Sequence, residues 1–528
     1  MDSARGRRVG GGYGAVGIRT DSGGVQKYPG HLLPGRNGIA FNAARKEYMK
    51  ILILNGSPKG DKSTTFHTAL YLKVLHPEHA FAVLHVGQKI RSMERNFDPV
   101  RQELSKADLV LFCYPVYTFL VPSQLQRLIE LVKERCPGLL AGKFASQITT
   151  SKHFYDVTAH RFIEENCLDL GMKVIRGLSA DMEDLLTKKG QQEARMFWDQ
   201  LMFSCDNGHF LKKMSPPPAQ ERLRYIPALT ASADKRMDLD VVIVADYEPI
   251  EDNGRENSTI GEESVVRVDA YANLCAMIED FRAALACESR VINLREFPFA
   301  GGCLGCLNCS VTGQCIYRDG FDTFLREKIQ KADAIVYAFR IENHYAHSTF
   351  KCFDDRQFCN GHRTVTSGIP VAYLLSGDYR QETNLQMVLE ARSEVGGNYL
   401  CGIVTDEPDS NTAQDLAALA RQLTFAVDHH LTRPANFYGV GGMKIFRDLI
   451  YVMQGMMQAD HQFYKEHGLY DFPQRQKKTI LMMKFVGTMF RIPSLQKKAK
   501  EQMSIAMVSP YQKVVEEAGQ MSSDHVSL

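Results

Sequence analysis

The sequence predicts an α/β protein with two tandem, doubly wound parallel sheets of five strands each and a helical C-terminal extension. Three observations predict this fold class. Short apolar runs alternate with stretches of helical periodicity, this rhythm occurs twice, and a Pro-rich connector separates the two series. Strands that are apolar along their whole length are typical of buried parallel sheets, and alternation with helices favours a right-handed, doubly wound arrangement.

Length and composition indicate a folded protein of several domains. The chain has 528 residues, 44% of them hydrophobic and 23% charged, and a single core rarely grows beyond about 300 residues. A formal net charge of +2 provides no general attraction for nucleic acid, so no such partner is expected. Thirteen cysteines are too few for a disulfide scaffold. We find no secretory leader and no apolar run of about 18 residues, and therefore predict a cytoplasmic location.

Residues 1–48 are predicted to be a disordered leader, because they hold 11 Gly and lack hydrophobic periodicity. The first sheet domain is predicted over residues 49–205. Its strands are expected in the runs Ile51–Leu54, Phe81–Leu84, Leu109–Phe112, Phe144–Ile148 and Lys173–Ile175. Its helices are expected at Thr64–Leu75, Pro99–Lys106, Pro122–Glu134 and Thr158–Leu170.

A Pro-rich linker is predicted over residues 206–238, and a second five-stranded domain over 239–430. The strands of the second domain are expected at Val241–Val244, Arg290–Ile292, Ala334–Tyr337, Val371–Leu375 and Leu400–Val404. Residues 106–108 and 331–333 are both Lys-Ala-Asp, at an offset of 225, and similar patterns follow them. This similarity indicates an internal duplication.

The remaining residues, 431–528, form a Met-rich extension. They hold 10 of the 21 methionines, and two amphipathic segments, Lys444–Lys465 and Lys477–Phe490, are predicted to be helical. The stretch from Gln474 to Lys500 carries eight Lys or Arg and no acid. Such a helix favours either weak contact with a membrane surface or a cap with a solvated basic face.

The first loop of the first domain, Asn55–Thr65, is suited to bind a phosphate. It follows a strand and leads directly into a helix, whose N-terminus offers free N–H groups and the positive end of the dipole. The candidate phosphate ligands are Ser57, Lys59, Ser63, Thr64 and Thr65. The alternative is that these hydroxyls only cap the helix.

Spacing excludes two common phosphate-binding patterns. A nucleoside-triphosphate loop requires G-x-x-x-x-G-K-[ST], but the fifth residue after Gly56 is Asp61. The dinucleotide pattern G-x-G-x-x-G is also absent from this loop. The interpretation that remains is a monophosphate cradle lined by Ser and Thr.

Two further loops are suited to hold a flat heterocycle beside that phosphate. The loop after the third strand carries a rigid proline and an aromatic ring, and the loop after the fourth carries small donors for carbonyl oxygens and ring nitrogens. The residues expected at the ring are Pro115, Val116, Tyr117, Thr118, Thr149, Thr150 and Ser151. Together the three loops predict FMN.

Residues 49–180 resemble the flavodoxin-like NAD(P)H-dependent FMN reductases. The family's first loop reads like G-S-P-R-x-x-G-N-T, which Gly56–Lys59 and then Ser63 and Thr64 match. Its second loop reads S-P-V-Y, which Pro115–Tyr117 match. The resemblance implies a flavodoxin-like fold, FMN as cofactor and NAD(P)H as electron donor. The third loop lacks the family's usual glycines.

The second domain is expected to be a degenerate copy without FMN. Its first loop is rich in carboxylates, Asp246–Asp252, which would repel a phosphate. At the offset of 225, Arg340 and Glu342 replace Pro115 and Tyr117. Because relatives commonly dimerise so that one subunit covers the other's flavin, we expect the tandem to be an internal pseudo-dimer, with a homo-oligomer as the alternative.

Four cysteines lie within 13 residues of the second domain: Cys303, Cys306, Cys309 and Cys315. Four thiolates on one loop can bind an iron–sulfur cluster or a tetrahedral zinc ion. Their order and spacing are similar to the compact motif of iron–sulfur flavoproteins, a resemblance that implies a [4Fe–4S] cluster. Zinc and unligated, redox-active thiols remain as alternatives.

A weaker group follows the third strand of the second domain: His344, His347, Cys352, Cys359 and His362. No pair in it has a typical ligand spacing, so a structural or substrate-lining role is expected. The sequence assigns no catalytic residue; a role of Tyr117 as proton donor would be a guess.

We therefore expect an FMN-dependent NAD(P)H oxidoreductase that passes hydride or electrons to a small-molecule acceptor, with the Met-rich extension lining an apolar acceptor pocket. The alternative is an electron-transfer protein that carries FMN and an Fe–S cluster and serves a protein partner. A third reading is a ligand-sensing module with a membrane-binding tail.

Overall fold

The computed structural model describes residues 48–212, 222–229, 236–248 and 270–492, together with residues 509, 511, 512, 514 and 515. Of the predicted leader, only Tyr48 is among the described residues. All described residues belong to one compact unit of the chain, which begins at Arg45.

The first sheet contains six parallel strands. These are β1 (Lys50–Asn55), β2 (Ala80–Leu84), β3 (Leu109–Pro115), β4 (Phe144–Ser151), β5 (Lys173–Val174) and β6 (Leu178–Asp181). Their order is β2-β1-β3-β4-β5, and β6 also pairs with β4. The residues Ile51 to Leu54 are at most 1% exposed, which explains why an unbroken apolar run forms this central strand.

The edge of this sheet differs from the prediction. The fifth strand was expected at Lys173–Ile175, but β5 ends at Val174 and a second short strand, β6, resumes the pairing with β4. Between them, Gly177 passes so close to Gln147 that a Cβ would lie 2.5 Å from the Gln147 carbonyl oxygen.

Six helices belong to the first domain: α1 (Thr64–Leu75), α2 (Val86–Arg95), α3 (Asp98–Lys106), α4 (Ser123–Arg135), α5 (Asp156–Asp169) and α6 (Lys188–Asn207). The predicted helix at Thr64–Leu75 is confirmed at both ends. The prediction missed α2, because only Val86, Gly87 and Met93 of this polar helix are buried.

The second sheet repeats the topology of the first. Its strands are β7 (Arg236–Asp246), β8 (Cys287–Asn293), β9 (Ala334–Arg340), β10 (Pro370–Ser376) and β11 (Tyr399–Thr405). Its order, β8-β7-β9-β10-β11, corresponds strand for strand to β2-β1-β3-β4-β5. The helices of this domain are α7 (Ala272–Ala284), α8 (Asn308–Thr312), α9 (Phe321–Lys328), α10 (Ser348–Arg356), α11 (Thr383–Gly396) and α12 (Thr412–Asp428). The tandem of doubly wound parallel sheets is confirmed.

The offset of 225 holds at the level of backbone conformation. Strand β9 starts 225 residues after β3, and α10 starts 225 residues after α4. The turn after each strand has two successive non-glycine residues with positive φ, Thr118 and Phe119 in one domain and Asn343 and His344 in the other. Positive φ is uncommon outside glycine, so a match at both positions is a specific sign of duplication.

The two domains contact each other through α4 and α10 and exchange helix caps there. The Glu130 carboxylate on α4 accepts hydrogen bonds from the backbone N–H and the hydroxyl of Ser348, at 2.7 and 2.6 Å. The Asp355 carboxylate on α10 accepts one from the backbone N–H of Ser123 at 2.7 Å. Asp355 follows Glu130 by 225 residues, so the two capping carboxylates occupy equivalent positions in the two domains. Each carboxylate occupies the N-terminus of the other domain's helix, where the helix dipole favours a negative charge.

The predicted linker bounds were too wide, because α6 extends to Asn207 and β7 begins at Arg236. Between them, residues 222–229 lie against the second domain. Arg222 forms ion pairs with Asp378 and Asp406 at 2.6 and 2.8 Å. The Asp280 carboxylate accepts hydrogen bonds from the backbone N–H groups of Ala228 and Leu229. This segment of the linker is therefore fixed by polar contacts rather than free in solvent.

The C-terminal extension forms three helices, α13 (Phe437–Val452), α14 (Gln458–Glu466) and α15 (Lys477–Met489). The prediction of a single helix at Lys444–Lys465 is wrong, because a non-helical segment, Met453–Met457, separates α13 from α14. None of the helices within the described ranges is both long and apolar enough to cross a membrane.

Candidate functional site

One cavity of about 240 Å³ collects most of the predicted cofactor residues. The predicted residues that line it are Ser57, Lys59, Ser63, Thr64, Thr65, Pro115, Val116, Tyr117, Thr118, Thr150 and Ser151. They come from the loops after β1, β3 and β4, whose carboxyl ends meet at one edge of the sheet. The strand order reverses between β1 and β3, and such a switch point is where open parallel sheets bind ligands.

The loop after β1 is held by its own first residue. The Asn55 side chain donates a hydrogen bond to the Gly60 carbonyl at 3.0 Å and accepts one from the Ser57 N–H at 3.1 Å. Gly56 is required by close packing, since a Cβ there would lie 2.8 Å from Leu125 Cδ2. Gly87 lies equally close to this loop, because a Cβ would lie 2.5 Å from the Pro58 nitrogen.

The N-terminus of α1 faces this loop and leaves donors free for a ligand. Ser63 caps the helix by accepting a hydrogen bond from the Phe66 N–H at 3.3 Å. The first N–H groups of a helix have no acceptor inside the helix, so those of Thr64 and Thr65 are available. Ser63 and Thr65 are 3% and 2% exposed, which places their hydroxyls in a desolvated pocket where a phosphate would interact strongly.

The loop after β3 is a tight turn with unusual backbone geometry. Tyr117 and Leu120 exchange two backbone hydrogen bonds, at 2.8 and 3.0 Å, across Thr118 and Phe119. Because non-glycine residues with positive φ cost free energy, this turn stores strain beside the cavity. Burial raises the pKa of Tyr117 well above its usual value, so its hydroxyl stays protonated.

Of the two threonines predicted at the end of β4, only one lines the cavity. Thr149 does not line the cavity, because its Oγ1 lies 2.8 Å from His160 Nε2 on the other side of the strand. Burial lowers the pKa of His160 to about 4, so this histidine is neutral. Thr150 does line the cavity, and its buried Oγ1 has no hydrogen-bond partner among the described residues. A buried hydroxyl without a partner is expected where a polar ligand completes the site.

Residues that were not predicted to hold the cofactor form the rest of the wall; of these, only His362 was named from the sequence, with a structural or substrate-lining role. Lys152, Phe154 and Met182 come from the first domain. The second domain and α13 of the extension contribute Gly305, Leu307, Phe358, His362, Ile445, Phe446 and Leu449. These residues lie as much as 390 positions from Ser57 and Lys59, and no local signal in the sequence connects them with the loops.

The four-cysteine loop lies directly beside this cavity. Cys303, Cys306, Cys309 and Cys315 all line a second cavity of about 50 Å³, together with Cys359. Gly305, Leu307 and Phe358 belong to both cavities. Gly305 has a φ of 59° and contacts the Tyr117 hydroxyl so closely that a side chain would not fit.

The thiols of this loop are not arranged around a single metal ion. Two thiolates bound to one zinc lie at most about 4.6 Å apart, given a Zn–S distance of about 2.3 Å. In the part of the chain that the structure describes, no three thiols lie within 4.8 Å of one another. Burial raises the pKa of Cys309 to about 11 and also raises that of Cys303, so these thiols are protonated as they stand.

The weaker His and Cys candidates do not form one site. His347 Nε2 lies 3.3 Å from the Glu130 carboxylate at the domain interface. The His344 ring lies between Asp169 and Glu382, at 3.0 and 2.9 Å. Burial disfavours the charged form of His344, but the hydrogen bonds to these carboxylates prevail and raise its pKa to about 9.

His344 also belongs to the one candidate metal group among the described residues, Glu165, His344 and Glu382. Both ring nitrogens of His344 already lie within hydrogen-bond distance of a carboxylate, Nε2 at Asp169 and Nδ1 at Glu382. We therefore interpret this cluster as an ion-pair network between the domains. Of the weaker group, only His362 lines the large cavity.

At the equivalent position in the second domain, charged side chains pair with one another. The sheet registers align Asn55 with Ala245 and Leu84 with Ile292. Counted onward from these pairs, Asp246 takes the position of Gly56 and Arg295 that of Gly87, and the Arg295 Nε donates to the Asp246 carboxylate at 2.5 Å. The two glycines that pack closely around the first loop are thus replaced by an ion pair. Tyr271 donates a hydrogen bond to Glu342 at 2.6 Å, and Arg340 lies 3.4 Å from the same carboxylate. The predicted acidic loop lies outside the described residues beyond Glu248.

Comparison with known proteins identifies the fold of the first domain. A family model described as a flavodoxin-like fold matches residues 49–168. This match confirms the flavodoxin-like fold that the resemblance of the loop residues implied. No curated protein matches the sequence.

Several solved structures are similar to part of the chain. The apo form of the NADH:FMN oxidoreductase EMOB is 16% identical with a TM-score of 0.26, over 30% of this chain and 89% of that one. The FMN-dependent NADH-azoreductase of Bacillus anthracis, in complex with FMN, is 14% identical with a TM-score of 0.24, over 30% and 98%. FerB, a flavoenzyme NAD(P)H:(acceptor) oxidoreductase of Paracoccus denitrificans, is 18% identical with a TM-score of 0.23, over 31% and 100%.

Proposed function

We propose, on the premise of the flavodoxin-like domain at residues 49–168, that this chain is an FMN-dependent NAD(P)H oxidoreductase. The observation that carries the proposal is that eleven residues predicted from three separate loops line one cavity. These loops supply hydroxyls and a helix N-terminus at one side and a proline, a tyrosine and small donors at the other. A phosphorylated ligand with a flat ring matches this division.

The residues present fit FMN. Ser57, Ser63, Thr65 and the N-terminus of α1 would hold the phosphate, with Lys59 as the adjacent positive charge. Pro115–Thr118 would lie along the ring, and the unpartnered Thr150 hydroxyl would reach a polar ring atom. When bound, FMN supplies hydride transfer from NAD(P)H to an acceptor.

The remaining walls determine which acceptors can enter. Phe154, Phe358, Phe446 and Leu449 give the cavity an apolar wall, and Phe154 stacks on Phe446 with ring centroids 4.3 Å apart. Because α13 provides Phe446 and Leu449, the extension covers this part of the cavity and excludes water from it. An apolar or aromatic small molecule is the acceptor that this wall favours.

For the four-cysteine loop we propose a [4Fe–4S] cluster held by Cys303, Cys306, Cys309 and Cys315. The support is that all four thiols surround one small cavity next to the flavin cavity, whereas their separation disfavours zinc. The Gly305 N–H donates to the Cys303 sulfur at 3.4 Å, and such bonds tune the potential of a cluster. Iron and acid-labile sulfide in equal amounts, both lost in Cys309→Ser, would be the expected result. Protein prepared without oxygen that contains neither would contradict it.

We further propose that the tandem acts as an internal pseudo-dimer, in which the second domain covers the flavin of the first. The support is the reciprocal cap exchange at α4 and α10 and the contribution of Gly305, Leu307, Phe358 and His362 to the cavity wall. The expected oligomeric state is a monomer with one flavin site. Cytoplasmic location and the absence of a nucleic-acid partner stay predictions.

The decisive experiment is an absorption spectrum of the purified chain before and after NAD(P)H is added without oxygen. We expect flavin bands at one FMN per chain that bleach without any other protein. Bands that bleach only when a protein partner is present would favour the electron-transfer alternative. A colourless chain that does not bind added FMN would overturn the proposal.

A further inference from the structure

His362 is held in the cavity wall by a buried carboxylate from the C-terminal extension. Its Nδ1 lies 3.0 Å from Asp460 Oδ2. Asp460 is 0% exposed, and its other oxygen, Oδ1, accepts no hydrogen bond from the described residues. Since a carboxylate only accepts, the Nδ1 of His362 carries the proton in this pair.

Several contacts fix the orientation of this pair. Gly361 approaches Asp460 so closely that a side chain at this position would not fit. The Tyr464 hydroxyl donates to the His362 carbonyl at 3.3 Å, and the Phe446 ring lies edge-on to the imidazole at 4.6 Å. Arg363 Nη1 is 3.8 Å from Asp460 Oδ1. The imidazole is therefore held by groups from two parts of the chain.

This arrangement leaves one ring nitrogen for a molecule in the cavity. Nδ1 is bound to Asp460, and no hydrogen bond to Nε2 is found within the described ranges. We propose that His362, held by Asp460, donates a proton from Nε2 to the acceptor. His362 is then a catalytic residue of the proposed oxidoreductase, and Asp460 is a positioning residue. This inference rests on the proposed function.

The proton balance of the reaction requires such a group. A quinone or carbonyl acceptor takes two electrons as hydride and becomes an anion at oxygen until it takes up a proton. A proton taken up from solvent at Nε2 of His362 passes to this oxygen, which forms the O–H bond and leaves the ring protonated at Nδ1 only. Solvent then restores the proton at Nε2. The donor NAD(P)H is oxidised, and the acceptor is reduced. General acid catalysis of this kind contributes roughly 10²- to 10⁴-fold.

The test compares two electron acceptors in the full FMN-loaded chain. Benzoquinone needs protons when it is reduced, whereas ferricyanide takes single electrons and needs none. In His362→Gln we expect kcat with benzoquinone to fall about 100-fold and the ferricyanide rate to stay within about twofold. Asp460→Asn should show the same split at about tenfold. His461→Gln, on the same helix as Asp460, is the control that should leave both rates unchanged.

A second measurement does not depend on turnover. In FMN-free protein, the ¹⁵N NMR signals of His362 should show a protonated Nδ1 in the wild type and a mixture of tautomers in Asp460→Asn. Equal losses with both acceptors, or none with either, would overturn the assignment. If NAD(P)H does not bleach the flavin of the wild-type chain, the proposed function itself is refuted. The two failures can therefore be distinguished.

An independent observation concerns α15, which is exposed along its whole length. No residue of this helix is buried, and Leu481, Met482 and Phe485 are 71%, 56% and 66% exposed. An apolar helix face in water is unfavourable by about 25 cal/mol per Å². Exposed apolar patches of this kind mark interaction sites.

The charges of α15 and its flanks identify the partner. From Pro473 to Ile492 the chain carries five Lys or Arg and no acid. At about 100° per residue, Lys477 and Lys484 lie on one side of the helix. Leu481, Phe485 and Met489 lie on the adjacent face, which Lys478 shares. A cationic stripe beside an apolar face is typical of helices that lie in the interface of anionic membranes. We infer that α15 binds the surface of an anionic lipid bilayer.

The test is sedimentation of the full chain with vesicles. We expect binding to vesicles of phosphatidylserine and phosphatidylcholine, weaker binding at high salt, and little binding to pure phosphatidylcholine. Leu481→Asp with Phe485→Asp should abolish binding, whereas Leu186→Asp with Met196→Asp, two equal changes at positions 82% and 59% exposed elsewhere, should not.

Other occupants of α15 would give different outcomes. If no vesicle is bound and the paired aspartates convert a dimer to a monomer in analytical ultracentrifugation, the face binds a second copy of the chain and the inference is wrong. Equal binding to both vesicle types, or none together with a monomeric wild type, would also overturn it.

Discussion

The two sheet domains have the same strand order and the same strained turn after the third strand, yet their ligand edges differ. In the first domain, Pro115 and Tyr117 border a cavity lined by hydroxyls. In the second domain, Arg340 and Glu342 occupy these positions and form an ion pair. Both copies share the scaffold, so the proposal that only the first domain binds FMN depends on a few loop side chains.

The replacement of two glycines explains this difference physically. Gly56 and Gly87 allow the first loop to approach the sheet and α2 at distances that no Cβ tolerates. Asp246 and Arg295 stand at the equivalent positions and pair with each other. Burial raises the pKa of Asp246 to about 6 although Arg295 opposes this. Arg295 donates to one oxygen of Asp246, and the other, Oδ2, accepts no hydrogen bond from the described residues. This buried carboxylate would repel a phosphate at this position.

The largest effect is expected when the first loop of the first domain receives a negative charge, as the first loop of the second domain has. Ser63→Asp keeps the cap of α1, because Asp is a good N-cap residue, but it places a carboxylate against the phosphate. At an effective dielectric constant near 20 and a separation of about 4 Å, the repulsion is about 4 kcal/mol. We therefore expect FMN affinity to fall about a thousandfold.

Flavin fluorescence quenching measures this affinity, with Ser63→Asn as the matched neutral control. The Asn variant should bind FMN within about tenfold of the wild type, since Asn caps helices as well as Asp does. Equal affinities of the Asp and Asn variants would show that the phosphate does not lie at this loop.

A second prediction concerns the two exchanged caps. Asp355 is buried with Lys351, which also donates to the Tyr117 carbonyl at 2.9 Å. Asp355→Asn would leave Lys351 charged and buried without its partner, and we expect a loss of about 3 kcal/mol in the free energy of unfolding. Glu130→Gln should cost less, because Arg127 also has two exposed partners, Glu94 and Glu134.

Urea unfolding measures both losses. Adding Lys351→Met to Asp355→Asn should recover much of the stability, since the unpaired charge is then removed. If the double variant is no more stable than Asp355→Asn, the cost comes from the lost cap of α4 and not from the buried lysine.

A third prediction uses the equivalent residues Phe119 and His344. Phe119 contacts Tyr155 with ring centroids 4.6 Å apart, whereas His344 forms ion pairs with Asp169 and Glu382. Because the pKa of His344 is raised to about 9 in the folded state, its stabilisation is complete below about pH 6.5. It is lost as the pH rises toward 9, and we expect a loss of about 2 kcal/mol after solvent screening.

The measurement is urea unfolding at about pH 7.5 and 9.5 in wild type and His344→Gln. This range lies above the pKa of Glu165, which burial raises to about 7. The wild type should lose stability across it, and the variant should lose markedly less. A variant with the same pH slope as the wild type would assign the loss to other groups.

The last prediction is a double substitution that leaves the FMN content of the chain unchanged. Arg340→Pro with Glu342→Tyr restores the ring-loop residues of the second domain but leaves Asp246 and Arg295 in place of the two glycines. We therefore expect one FMN per chain in this variant, as in the wild type, from the flavin-to-protein absorbance ratio. Two FMN per chain would show that the glycines do not decide the difference.

The fold was predictable because its signals are local and occur twice. Apolar runs marked the strands of both sheets, and the Lys-Ala-Asp match at an offset of 225 marked the duplication. The edge strand β6 and the helix α2 were missed, because a short edge strand and a polar helix bury too few residues to leave a pattern.

The site was only half predictable, for two physical reasons. Thr149 and Thr150 look alike in the sequence, but successive residues of a strand point to opposite faces, and only the structure shows that Thr150 faces the cavity. Gly305, His362 and Phe446 reach the cavity only because the second domain and the extension pack against the first domain. The pair of His362 and Asp460 spans 98 residues, a separation at which spacing carries no information.

The cap exchange between Glu130 and Asp355 has a consequence for how this molecule could change over time. In a homodimer every substitution appears on both sides of the symmetry axis, so a charge that closes one site closes both. Covalent fusion removes this constraint and holds the halves together at a high effective concentration, even when their interface weakens. One half could therefore exchange its glycines for an ion pair and become a cover, while the other kept its loop.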